Sequence, residues 1–294
     1  GGPAGMTAAL YALRNGKSVL IIEKEGFGGQ ITHSPRVENY PGMLSMSGNE
    51  FADKLVDQVI NQGADIEMET VTGIRDNGDT KTVVTEDGEH EAKAVIIATG
   101  VKHRQTGLPN ENELVGGGIS YCAVCDGAFF KGQTVAVLGG GNSALQEAVL
   151  LSDGCEKVYV IQNLDYFTGE ARLVEKLKEK DNVEFIMGTV ISSLNGEGSL
   201  ESLTLRKEAD GSESELRVNG LFVAIGLIPN NKMFEEIAGL DEWGYIDSDE
   251  SCLTKTEGVF VAGDCRKKQI RQITTAAADG SVAALAACRY IDSK

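Results

Sequence analysis

The chain repeats itself at an offset of 139 residues, and no other feature limits its fold so strongly. Without a gap, Gly1 falls on Gly140, Gly2 on Gly141, Gly5 on Ala144, Val19 on Val158, Ile22 on Ile161 and Glu23 on Gln162. In the second copy an apolar run, Thr134–Leu138, opens into Gly139-Gly140-Gly141-Asn142-Ser143-Ala144. In the first, Gly1-Gly2-Pro3-Ala4-Gly5 leads into a helical stretch, Met6–Leu13, stopped by Asn15-Gly16. The strand Val19–Glu23 follows. Such glycines permit a tight strand-to-helix turn and let a pyrophosphate approach the backbone, and the last position must be small so that the helix packs on the sheet. The helix N-terminus then offers free N–H groups and positive partial charge to phosphates. An acid about twenty residues on completes a dinucleotide fingerprint, and Glu23 lies 21 residues after Gly2. A strand is expected ahead of the first glycines, before Gly1. Two fingerprints in register predict an α/β chain of two doubly wound (Rossmann-like) domains, each able to hold its own nucleotide.

The order of segments predicts that the second domain is inserted in the first. Glu50–Gly63 reads as an amphipathic helix, and Ile66–Ile74 and Lys81–Thr85 as strands of a small sheet. Ala94–Gly100 and Gly220–Gly226 are matching strands that end in small-residue turns, and Gly258–Asp264 is another. Ile270–Tyr290 is Ala-rich and helical. The expected boundaries are 1–108 and 231–294 for the first domain and 109–230 for the second. The linkers are expected near Gly107–Gly118 and Gly226–Asn231, and two short crossings with Gly and Pro suit a rotation of one domain on the other.

Inside the second domain lies Tyr121-Cys122-Ala123-Val124-Cys125-Asp126-Gly127. Two cysteines at this spacing read as a redox motif or as half a zinc site. Zinc needs two further ligands nearby. The histidines are His33, His90 and His103, and Cys155, Cys252, Cys265 and Cys288 are scattered singly, so no metal site is expected. Those four cysteines and Trp243 are expected to serve packing. An acid directly after the pair can exchange the proton that a thiol must gain or lose. The 294 residues suffice for about two domains, and the net charge of −17 argues against nucleic acid and anionic membrane. No apolar run is long enough to span a bilayer, and six cysteines do not suggest a disulfide scaffold. A cytoplasmic protein is expected.

On the Cys-Ala-Val-Cys-Asp-Gly segment and the paired fingerprints, nearly the whole chain resembles the low-molecular-weight bacterial thioredoxin reductases. The resemblance implies FAD in the first domain, NAD(P)H in the second, thioredoxin or a thioredoxin-like protein as partner, and a homodimer. It implies that Cys125 lies against the flavin, that Cys122 attacks the thioredoxin disulfide, and that Asp126 handles the proton. For FAD it implies Gly2, Gly5, Glu23, Lys24, Gly28, Gly29, Gln30, Asn39, Thr99 and Gly100. Asp264 is implied for the ribityl chain, and Arg271, Gln272 and Ile273 for the ring. For NAD(P) it implies Gly139, Gly141, Asn142, Ser143, Ala144, Gln162, Asn163 and Gly226.

One stretch departs from the family pattern. NADPH-using members carry His-Arg-Arg at the strand end after the second fingerprint, with another Arg four residues beyond, and these cations grip the 2′-phosphate. Here the matching residues are Gln162-Asn163-Leu164 and Thr168, with Asp165 and Glu170 nearby. A dianionic phosphate finds no partner in that set, so NADPH is expected to be a poor donor. The alternatives are a dithiol oxidase of the same fold, a ferredoxin-dependent flavin thioredoxin reductase, or a flavin-bearing redox sensor that does not turn over.

Overall fold

A computed structural model describes residues 1–34 and 37–294. The 139-residue repeat holds at the level of backbone angles. The helices Pro3–Arg14 and Asn142–Ser152 start at matching positions, capped by Gly2 (φ −85°, ψ −179°) and Gly141 (φ −86°, ψ 177°). Pro3 at the first helical position sacrifices only an N–H that has no partner within the helix.

The chain divides into two compact units, one of residues 1–102 and 228–294, the other of residues 103–227. The second is thus inserted in the first. The first crossing falls six residues before the boundary expected at 108/109, because Glu111 ties the segment after it into the second unit. Its buried carboxylate accepts from the Thr106 and Gly107 amides, the Thr106 hydroxyl and the Tyr121 hydroxyl. Nor is the glycine run 116–118 part of a crossing. A Cβ on Gly117 would stand 2.5 Å from the Gly198 carbonyl, and one on Gly118 2.5 Å from the Leu200 Cβ, so the run is packed inside the second unit.

In the second unit a five-stranded parallel sheet runs in the order Val183–Ile186, Lys157–Ile161, Thr134–Leu138, Gly220–Val223, Ile119–Ser120. Val135, Ala136, Val137, Val158, Val160, Leu221 and Phe222 have no exposed surface. A sheet covered on both faces demands such continuous apolar strands. The strand order reverses beside Thr134–Leu138, where this architecture places its ligand crevice. Thr189–Asn195, Ser202–Lys207 and Glu213–Arg217 form a separate antiparallel sheet.

In the first unit, Leu20–Glu23 pairs in parallel with Asp65–Met68, and Val95–Ile97 with Val259–Val261. Val71–Asp76, Lys81–Thr85 and Glu89–Ala92 make an antiparallel sheet. The stretch 66–74, expected as one strand, breaks at Glu69. There the Glu69 amide donates to the Glu23 carbonyl while its side chain pairs with His90. Helices Pro3–Arg14 and Ile273–Asp292 pack closely because a Cβ on Gly280 would lie 2.3 Å from the Ala4 carbonyl oxygen. Cys155, Cys252, Cys265 and Cys288 are buried free thiols, as packing residues should be. Trp243 is not a packing residue: it is 68% exposed, held in a turn whose amides cap the Asp241 carboxylate. Among the described residues, no helix is long and apolar enough to cross a membrane.

A buried charge cluster locks the turn before the last helix. Asp279 accepts from the Gly263 amide, from both Nε and Nη2 of Arg266, and from Lys268 Nζ, at 2.8–3.0 Å. Burial pushes the Asp279 carboxyl up, but the Arg266 and Lys268 hydrogen bonds and charges outweigh it and hold it below the ordinary carboxylate range. Its stabilisation is therefore full above that range and fades as pH falls through the lowered value. Asp279→Ala takes the carboxylate partner from buried Lys268 and leaves Arg266 only Glu250, and should cost about 3–5 kcal/mol, read as a lower urea midpoint at neutral pH. A loss below about 1 kcal/mol, the level of an exposed pair, would show that the cluster does not lock the turn.

Candidate active site

Cys122 and Cys125 form a disulfide, with Cα atoms 5.3 Å apart. The strand Ile119–Ser120 delivers them at its C-terminal end, and Cys122 caps the short helix Ala123–Asp126. Its sulfur accepts from the Cys125 amide at 3.2 Å. Ser120, 4% exposed, links the two chemical ends of the motif. Its hydroxyl oxygen accepts from the Cys122 amide at 3.1 Å and donates to Asp126 Oδ2 at 2.6 Å. Asp126 is thereby fixed beside the pair, where a positioned acid can move a thiol proton. Between the cysteines, Val124 is 59% exposed, so the motif has an open apolar face. Tyr121 donates to Glu111 and stacks on His103 with ring centroids 5.0 Å apart. Burial and the Glu111 carboxylate push its phenol far above the ordinary tyrosine range, so it holds position and does not titrate.

In the first unit the expected FAD residues fall into small contacting groups: Glu23, Gly28 and Gly29 about Gly1 and Gly2, Arg271 with Asp264, and Asn39 with Gln272. Glu23 ends its strand with Oε1 accepting from the Lys24 and Glu25 amides, and a Cβ on Gly1 would fall 2.8 Å from its Oε2. Gly28 (φ 108°) donates to the Gly1 carbonyl, and a Cβ there would strike Ala52 and Thr32 at 2.6 Å. Gly29 sits with its Cβ position 3.5 Å from the Gly2 Cα. Gly5 turns toward Ala98. Lys24 and Gln30 are exposed at the rim. Thr99, before the turn at Gly100, donates to Asn231, which is 1% exposed and braces the Gly244 and Cys265 carbonyls. Arg271 donates from Nε to the Asp264 carbonyl and lies over the Tyr245 ring, 4.3 Å from its centroid. Asn39 reaches Gln272, which caps the helix begun by Ile273.

Two observations fit FAD to this cradle. Asp264 Oδ1 is shut from solvent with no hydrogen-bond partner, although buried carboxylate oxygens are normally satisfied. A polyol hydroxyl would satisfy it. The packed glycines also leave backbone where a dinucleotide must approach closely. Burial raises the Asp264 carboxyl, with Lys268 and Arg271 pulling it back.

In the second unit the phosphate turn is complete. A Cβ on Gly139 (φ 136°) would stand 2.5 Å from the Ala224 carbonyl, and Ala144 is fully buried beneath the turn. Asn142 and Ser143 are exposed at the helix start, and Gly226 (φ 114°) accepts from the Arg104 amide. The strand end differs from a 2′-phosphate site. Gln162 is 5% exposed, and its Nε2 donates to the Tyr166 carbonyl while its amide packs on Gly140. Asn163 and Thr168 are exposed, and Glu170, held by Asn142, pairs with the Arg172 that follows it. The residues fit a pyrophosphate and do not fit a 2′-phosphate.

Sequence reasoning missed Ser120, Glu111 and Asn231: Glu111 meets Tyr121 10 residues away, Asn231 meets Thr99 132 residues away, and Ser120 acts through a single hydroxyl. It also missed Glu147, for which a signal existed. This carboxylate shares the inner side of its helix with Ala144, Ala148 and Leu151, positions three and four residues apart.

The model of the family described as pyridine nucleotide-disulphide oxidoreductase matches residues 1–280. A thioredoxin reductase of Bacillus subtilis is 40% identical over 292 residues, 99% of this chain and 92% of the relative. A Clostridium pasteurianum protein described as a 34.2 kDa protein in the rubredoxin operon is 39% identical over 294 residues, 100% of this chain and 96% of the relative. The crystal structure of thioredoxin reductase from Streptococcus pyogenes superposes with a TM-score of 0.96 at 39% identity, covering 100% of this chain and 96% of that one. With two Rossmann units, one inserted in the other, and a disulfide built into the second, the chain belongs to the pyridine nucleotide-disulphide oxidoreductase family, as a low-molecular-weight member of the thioredoxin reductase type.

Proposed function

We propose that this chain is an FAD-dependent thioredoxin-disulfide reductase that works as a cytoplasmic homodimer. The observation that carries the reading is the Cys122–Cys125 disulfide with Asp126 tied to it through Ser120. Bound FAD supplies the two-electron carrier between a low-potential donor and the dithiol. In the first unit Gly2, Gly28 and Gly29 admit the pyrophosphate, Glu23 takes the ribose, and Asp264 Oδ1 accepts from the ribityl chain. Reduction puts two electrons into the S–S bond and leaves two sulfur anions. The Cys122 thiolate attacks the thioredoxin disulfide, and a thioredoxin sulfur leaves as thiolate. Cys125 then attacks Cys122, which restores the internal disulfide and frees thioredoxin as a dithiol. Asp126 holds and passes the proton that this exchange requires.

The donor is set by the second unit. Charged hydrogen bonds to a phosphate contribute about 1.5–3 kcal/mol each, so several missing cations lower NADPH selectivity by more than about tenfold. We infer that NADPH is a poor donor and NADH at least as good. Should both fail, a protein donor such as a ferredoxin must deliver the electrons. Purified protein should be yellow with stoichiometric FAD, and a colourless protein that cannot be reconstituted sinks the reading. Steady-state kinetics with both nucleotides at equal salt tests the donor. A preference for NADPH of about tenfold or more in kcat/KM defeats that part. The combined variant Gln162→His, Asn163→Arg, Leu164→Arg should move preference toward NADPH.

A further inference from the structure

Glu147 is half-buried, yet one of its carboxylate oxygens is shut from solvent. It sits on the helix Asn142–Ser152, among Ala144, Leu145, Ala148 and Leu151, all fully buried or nearly so. That helix packs on the dithiol segment: a Cβ on Gly127 would lie 3.1 Å from Leu151 Cδ2. The Glu147 carboxyl lies close enough to the backbone amide of Ala123, the residue joined to Cys122, for that amide to favour its charged form. Its other oxygen, Oε2, is shut from solvent with no hydrogen-bond partner. A fold that needed only to cap the Ala123 amide would do so with a neutral amide side chain at lower desolvation cost.

We propose that Glu147 is a positioning residue for the Cys122–Cys125 dithiol, holding the Ala123 amide and setting how readily the reduced pair keeps a thiolate. The proposal rests on the reading that this pair is the working redox couple. Reduction of the disulfide takes two electrons, which bound FAD would supply, breaks the S–S bond and leaves two sulfur anions, of which solvent protonates one and, at lower pH, both. An ionised Glu147 beside the pair opposes the anions, as any like charge in a low-dielectric site does. A protonated Glu147 does not. The thiolate is therefore favoured when Glu147 has taken up a proton, and electron arrival in the pair draws a proton into this buried site. Burial pushes the carboxyl up to about 7 against the pull of the Ala123 amide, so both states are reachable at neutral pH. The other charged groups on elements packed against this helix are Asp126 of the dithiol segment, Lys157 of the adjoining strand, and Arg172, Glu175, Lys176 and Lys178 of the helix Ala171–Lys178. Of these, Lys157 pairs with Glu184 and Lys178 with Glu175.

The test uses the FAD-loaded protein, reduced and freed of reductant, with iodoacetamide as probe and peptide mapping as readout. The four buried free thiols, Cys155, Cys252, Cys265 and Cys288, are all raised by burial and stay slow. Wild-type alkylation at Cys122 should rise with pH in two steps, the lower near neutrality. Glu147→Gln keeps an acceptor for the Ala123 amide and removes the charge. It should show one step, and react up to about tenfold faster just above neutral pH, the effect of one pK unit. Glu147→Leu removes the acceptor as well. A Gln variant with the wild-type profile, whether or not the Leu variant folds, overturns the proposal and leaves Glu147 a structural cap. If Cys122 and Cys125 do not cycle between disulfide and dithiol even in the wild type, the proposed function itself fails first.

Discussion

Cys125→Ser should capture oxidised thioredoxin and fail to release it. In this variant Cys122 is a free, half-buried thiol in the segment that carries the exposed Val124. It can attack a disulfide, but no second thiol remains to resolve the mixed disulfide. Mass spectrometry should find a covalent adduct at Cys122 that a reductant dissolves. Cys122→Ser should form no adduct, and both variants should lose thioredoxin-coupled turnover to the detection limit. The buried cysteines cannot substitute, because each is held away from solvent and above the ordinary thiol range. An adduct on Cys122→Ser and none on Cys125→Ser would reverse the roles assigned to the two sulfurs.

Asp126→Asn should slow turnover by about 10²–10⁴-fold, the range for a positioned acid–base group. The substitution keeps the geometry. Ser120 can still donate to the side-chain oxygen at position 126 and still accept from the Cys122 amide, so the disulfide stays where it is. What disappears is the group that takes and returns a proton. Reduction of the disulfide should remain possible in a stoichiometric titration, while the exchange with thioredoxin in rapid-mixing kinetics should be slow. A variant within about threefold of wild type would leave Asp126 a turn residue, a role that Asp favours on its own account. Ser120→Ala, by contrast, should cost less than Asp126→Asn, because it loosens the acid without removing it.

The family and the domain plan were legible in the residues themselves. Glycines in a phosphate turn are demanded by backbone conformation and close approach, which are local requirements, so the turns at Gly1–Gly5 and Gly139–Ala144 mark themselves wherever they occur. The return of that pattern at a fixed offset predicted two helices with matching starts, and the structure has them at Pro3 and Asn142. The dithiol was legible for the same reason, since its chemistry is carried by two residues three apart. The missing cations after Ile161 could likewise be read in sequence, because they belong to one strand end.

The rest depends on which distant residues share a volume, and no local pattern encodes that. Glycines 116–118 have the composition of a linker, yet close packing on Gly198 and Leu200 makes them interior. Trp243 has the character of a core residue, yet its turn is held by Asp241 with the ring outside. Asp264 looks like any turn carboxylate until the surrounding packing seals its Oδ1 without a donor. Glu147 joined the candidate site only when its helix was laid against the dithiol segment, 22 residues earlier in the chain than the carboxylate at its nearest cysteine, Cys125. Sequence determined which chemistry the chain carries, since each motif needs its own residue types at short range. Tertiary structure decided which polar groups are cut off from water, and with that which of them can be held, shifted and used.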